Sequence, residues 1–121
     1  MIAKIVLALN SQNWSHEEER IKKVVNCKVT HCLGSYKGKT ERSYMIDLPT
    51  ETETRKLAEL AASHNQESIL IVDYAGNAFL MYTDGSKKVE DIGQWGEIDR
   101  EYQDGLSNWT LTEHGKLYTV L

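Results

Sequence analysis

The chain has 121 residues, 40% of them apolar and 26% charged, with one proline, so it is too ordered in composition for a disordered or fibrous protein and long enough for one domain spanning residues 1–121. Its formal charge of −4 is spread over interleaved acidic and basic residues, which excludes the basic stripe of a nucleic-acid binder. The apolar start Met1 to Leu9 is too short to span a bilayer and lacks the charged start and cleavage site of a signal peptide, so a cytoplasmic protein without a membrane partner is expected.

Ile2 to Leu9, rich in β-branched residues, predicts a strand that ends in the turn chemistry of Asn10 to Asn13. Ser15 followed three residues later by Glu18 reads as a capping box, and Ile21, Val24 and Val25 then recur at helical spacing. Cys27 to Ser35 and Glu41 to Leu48 alternate as strands around a glycine-containing reversal, which predicts a hairpin. Pro49-Thr50 opens a second helix, with Leu57, Leu60 and Ala61 on one face and an end near Asn65.

Glu67 to Tyr74 holds four consecutive aliphatic residues, as a strand buried on both faces would, and Ala75-Gly76-Asn77 turns the chain into a strand from Ala78 to Thr83. Residues 84–88 read as a loop, and 93–96 as a turn. The pattern then weakens until Asn108 to Thr112 and Lys116 to Leu121, a hairpin turning at Glu113-His114-Gly115. The order β-α-β-β-α-β predicts an α+β fold: a ferredoxin-like split β-α-β antiparallel sheet with two helices and extra C-terminal strands. Such a fold hosts many functions, so side chains must carry the functional argument.

Cys27 and Cys32 are a lone pair flanking His31, and His16, His31, His64 and His114 show no ligand spacing, so no metal is expected. A four-residue turn from Lys37 to Thr40 would place Tyr36 directly opposite Glu41, roughly 5 Å apart at Cβ on one face. Geometry alone would make these an ordinary cross-strand pair. Gln66 and Glu67, before the buried strand, are within reach of the same end, although a polar helix-to-strand junction is the plainer reading. Phe79, Tyr82, Trp95 and Trp109 read as core or interface residues.

Gly34-Ser-Tyr-Lys-Gly-Lys-Thr-Glu41, the Ala- and Leu-rich helix through Leu57 to Ala61, Gln66 to Ile71, Leu80-Met-Tyr82, Gly93-Gln-Trp95 and Trp109 to Gly115 follow one another as in the phage S-adenosylmethionine hydrolase family, now understood to include lyases. The chain resembles that family over about two thirds of its length, the specificity lying in order and spacing. The resemblance implies an enzyme that cleaves the Cγ–S bond of S-adenosylmethionine without a cofactor, giving homoserine lactone and methylthioadenosine and depleting a host's supply to counter restriction. It implies Tyr36 and Glu41 as catalytic residues and Ser35, Gln66 and Glu67 at the substrate. The loop after Tyr36 is shorter than in the family, so Glu41 is matched by strand position, with Asp47 as the alternative. The family's trimers place active sites between subunits, so a homotrimer in the host cytoplasm is expected. The rival reading is a non-catalytic counter-defence protein that binds a nucleotide-like ligand or a host protein.

Overall fold

The computed structural model describes residues 2–10, 16–36, 38–86 and 88–121. Its elements are β1 (Ile2–Leu7), α1 (Glu17–Val24), β2 (Val29–Tyr36), β3 (Lys39–Asp47), α2 (Glu51–Ser63), β4 (Ser68–Asp73), β5 (Asn77–Tyr82), β6 (Val89–Ile98), a 3-10 helix (Arg100–Gly105), β7 (Trp109–Thr112) and β8 (Leu117–Val120). Asn13 and Ser15, and with Ser15 the expected capping box, lie outside the described residues.

The strands form a closed antiparallel barrel in the order β1-β3-β2-β7-β8-β6-β5-β4, with β4 returning to β1. The ferredoxin-like sheet expected from the sequence is therefore wrong. β1 does lie between β3 and β4, but neither β2 nor β4 remains an edge, because β7 adds to β2 and β5 adds to β4. β6 then joins β5 to β8 and closes the ring, which removes the unpaired backbone edges of an open sheet.

β6 is the element that the sequence hides. Gly93 sits in it at a φ of +123°, beside a register shift opposite Ala78 and Phe79, so a bulge resets the inward-outward alternation partway along the strand. Residues 93–96 are thus strand and not the expected turn. A side chain at Gly93 would bring its Cβ within 2.7 Å of the Leu121 carbonyl oxygen, so glycine is required there for space as well as conformation.

Successive residues of β1 serve two cores, as a strand covered on both faces must. Ile5 and Leu7 pack outward with Ile21 of α1, Leu57 and Ala61 of α2, and Tyr44, Ile46, Ile69 and Ile71. Val6 packs with Cys32 and Met45, and with Leu70, Trp95 and Tyr118, from strands around the ring. An eight-stranded barrel is wide enough inside only for side chains, so the helix-covered cluster lies outside it and this second cluster is the barrel interior. No helix among the described residues is long and apolar enough to cross a membrane.

α2 begins with a full capping box: the Glu53 amide donates to Thr50 Oγ1 at 3.1 Å, and the Thr50 amide donates to Glu53 Oε1 at 2.9 Å. The other carboxylate oxygen of Glu53 accepts from the Asn26 amide at 2.6 Å, tying α2 to the segment that follows α1. These amides, Thr50 first and Asn26 second, lower the Glu53 pKa from 4.5 to about 2. A depressed carboxylate contributes stability that is fully present above its unfolded pKa and is lost as the pH falls from 4.5 toward about 2. Urea midpoints should therefore drop more steeply through this window in the parent chain than in Glu53→Gln; equal slopes would show that the cap is not linked to folding.

Candidate active site

Strand pairing corrects the expected hairpin. Tyr36 opposes Lys39, and Glu41 opposes Gly34, so β2 and β3 run on to a tighter reversal and Tyr36 and Glu41 are not directly opposed. They are diagonal neighbours, and because directly opposed residues share a face, both belong to the face of Gly34 and Cys32. Cys32 lies in the inner cluster, so this is the inner face of the barrel, with Tyr36 and Glu41 toward one mouth. The diagonal separation is about 7–8 Å, which leaves room for a ligand group between a phenol and a carboxylate. Tyr36 is 50% exposed at the rim, while Glu41 is half-buried one rung further in.

Ser35 opposes Thr40 and Trp109, and so points to the outer face, away from Tyr36 and Glu41. Gln66 and Glu67 precede β4, whose start lies at the same barrel end as the start of β3, since both strands run antiparallel to the intervening β1. Their carbonyl oxygens accept from the Thr83 hydroxyl and amide respectively, extending the β4–β5 pairing past Ser68. The fold thus gathers Tyr36, Glu41 and Gln66 at one end and separates by face Ser35 and also Glu67, which shares the outward parity of Ile69 and Ile71.

Asp47, the alternative carboxylate, lies at the other end of β3, six residues and so roughly 20 Å from Glu41. It accepts from Lys4 Nζ at 2.9 Å. A carboxylate held by an ammonium at the far end of the strand is poorly placed to act with Tyr36.

Neither thiol is set up as a nucleophile. Burial raises the pKa of Cys32 to about 12, and burial together with the Glu53 carboxylate raises that of Cys27. Both cysteines are free, and among the described residues no group of three or more His, Cys, Asp or Glu is arranged to hold a metal ion.

Two features escaped the sequence reading. Ser43, on the same face as Glu41 and two residues along β3, is buried, and its Oγ has no hydrogen-bond partner among the described residues; the same holds for Trp95 Nε1. Strand alternation from Glu41 could have placed Ser43 on this face, but not its burial. Outside the barrel, the Tyr44 hydroxyl donates to Glu17 Oε1 at 2.8 Å, with Tyr44 0% and Glu17 2% exposed. Burial, with the adjoining Glu17 carboxylate, pushes the Tyr44 pKa far above the ordinary phenol range, so it stays a donor. His31 meets the Tyr44 ring edge-on at 5.2 Å and pairs through Nε2 with Glu18 at 3.0 Å. This cluster fastens α1 to β2 and β3.

A phenol and a carboxylate on one wall of a barrel mouth can hold a cationic, amino-acid-like ligand without a metal. Compared with known families, residues 6–121 match the model of the S-Adenosylmethionine lyase family. No curated protein matches the chain.

Proposed function

The chain belongs to the S-adenosylmethionine lyase family and is an enzyme that degrades S-adenosylmethionine, and from that premise we propose that it does so by Cγ–S cleavage at the barrel mouth lined by Tyr36 and Glu41. The observation that carries this reading is the placement of the two side chains on one inner face, a diagonal apart. The substrate's sulfonium departs as a neutral thioether, so its leaving group needs no proton. The substrate's own carboxylate oxygen forms a bond to Cγ as the Cγ–S bond breaks and its electron pair stays on sulfur, yielding homoserine lactone and methylthioadenosine.

Such an intramolecular displacement depends chiefly on conformation, and orientation alone can supply on the order of 7–11 kcal/mol. Glu41 binds the substrate ammonium and favours the folded methionyl chain, while Tyr36 donates to the substrate or lays its ring against the cation. Gln66, at the same barrel end and on the inward parity of Leu70, lines the remainder of the site. The active unit is a homotrimer whose neighbouring subunits complete each mouth. The outward-facing Leu33, 43% exposed beside Leu111 on β2 and β7, supports such an apolar contact. Its biological role is phage counter-defence, in which removal of host S-adenosylmethionine disarms restriction systems that need it.

Incubation of the purified protein with S-adenosylmethionine in ¹⁸O-water tests the chemistry. Lactone formation followed by ring opening at the carbonyl places the label in the homoserine carboxylate. Direct attack of water on Cγ places it in the side-chain hydroxyl and would exclude the lyase route. Intact substrate would refute the proposal altogether, and sedimentation of the same sample should give three times the 13.8 kDa chain mass.

A further inference from the structure

The tight reversal between β2 and β3 changes which side chains belong to the strands. Lys39, which the sequence placed in the turn, is the first residue of β3 and directly opposes Tyr36, so the two share the inner face with Cβ atoms about 5 Å apart. Gly38, at a φ of +79°, supplies the left-handed backbone that such a reversal needs. Glu41 follows on the same face, two residues and about 6.6 Å further along the strand. Among the described residues neither Lys39 nor Glu41 forms an ion pair. The far end of β3 shows what happens when opposite charges face each other: Lys4 and Asp47 are directly opposed across β1 and β3, and they close to 2.9 Å. Lys39 and Glu41 lie in line along one strand instead and stay apart, Lys39 exposed at the rim and Glu41 half-buried one rung inward. The mouth thus presents a cation and an anion, both accessible and both without a charged partner in the chain.

We propose that Lys39 selects for the α-carboxylate of the substrate, its Nζ donating to one carboxylate oxygen while Glu41 accepts from the α-ammonium. This assignment rests on the reading of the Glu41 mouth given above. An amino acid carries both charges on one carbon, so it can bridge a cation and an anion that a strand holds two residues apart, and it does so in one sense only. S-adenosylmethionine also carries a sulfonium. A lysine beside such a ligand is unfavourable unless the carboxylate lies between the like charges, so Lys39 disfavours the decarboxylated dication as well as favouring the zwitterion. An ammonium binds as a point charge and not as a two-pronged fork, so one carboxylate oxygen is held and the other stays free to close on Cγ. Lys39 keeps its proton throughout.

The test uses two probes whose neutral thioether lacks the sulfonium leaving group: S-adenosylhomocysteine and its counterpart without the carboxylate. Calorimetry on the parent chain should show tighter binding of the carboxylate-bearing probe, by a preference that shrinks as salt is raised. Lys39→Met should reduce that preference about fivefold, the scale of a partly exposed ion pair, and Lys39→Arg should keep most of it. Glu41→Gln should weaken both probes alike, because both carry the ammonium, and so leave the preference in place. A preference undiminished in Lys39→Met, or equal weakening of both probes by that substitution, would overturn the assignment. The two readings fail separately. Turnover of S-adenosylmethionine with an unchanged preference in Lys39→Met sinks only the role of Lys39, whereas a Lys39-dependent preference in a chain that leaves the substrate intact sinks only the catalytic reading.

Discussion

Glu41→Gln is expected to lower kcat/KM for S-adenosylmethionine by about 10–10²-fold, the loss of a charge-assisted hydrogen bond worth about 1.5–3 kcal/mol between its carboxylate and the substrate ammonium. The substitution keeps the size of the side chain but replaces a carboxylate by a neutral amide, whose one carbonyl oxygen still accepts from the substrate ammonium without the opposing charge. Glu41 is half-buried on the inner wall, near the end of a strand whose apolar packing lies further along at Tyr44, Met45 and Ile46. The urea midpoint should therefore stay close to that of the parent chain, which separates lost chemistry from lost fold. Asp47→Asn supplies the comparison. It removes the partly exposed pair with Lys4, an interaction worth at most about 1 kcal/mol, and should leave turnover near the parent value. If Glu41→Gln retains activity within a few-fold while Asp47→Asn loses it, the carboxylate has been assigned to the wrong end of β3.

The largest stability effect of a small change is expected at Tyr44→Phe. Removing the hydroxyl deletes a 2.8 Å hydrogen bond to Glu17, which is 2% exposed, and leaves that carboxylate without its phenolic donor. Hydrogen bonds to charged groups are worth about 1.5–3 kcal/mol, and the cost is larger when the remaining partner stays buried. Unfolding in urea should show a loss of this size. Pairing it with Glu17→Leu separates the interaction from the cost of burying its members. If the destabilisation reflects loss of the phenolic donor to a carboxylate that stays buried, the double variant should recover much of the loss seen in Tyr44→Phe, because an apolar pair can replace a buried polar one. Additive losses would instead show that the Glu17 carboxylate contributes through other contacts.

These two sites differ in how visible they were beforehand. Tyr36 and Glu41 were singled out by their order along the chain, and the hairpin carrying them is present. Their mutual placement was not legible, because the position of a reversal decides which residues oppose one another, and moving it turned a direct pair into a diagonal one. Ser35 illustrates the same point, since one step along β2 sends a side chain to the opposite face. Tyr44 and Glu17 carried no signal at all. A glutamate in the first turn of a helix reads as a solvated charge near the positive helix end, and only the packing of α1 on β3 buries it.

Local sequence patterns determined the elements with the clearest physics. Four aliphatics in a row marked β4, Pro49-Thr50 with Glu53 marked the start of α2, and Glu113-His114-Gly115 marked the last reversal. The closed barrel was decided only by tertiary structure. Its closure depends on β6, a glycine-broken and acidic strand whose alternation is reset by the bulge at Gly93 and which is held by partners on both sides, β5 and β8. No local period encodes pairing between segments so distant in sequence. Closure also turns one face of β2, β3 and β7 inward, and so sets Glu41, Gly34, Ser43 and Thr110 along a single wall.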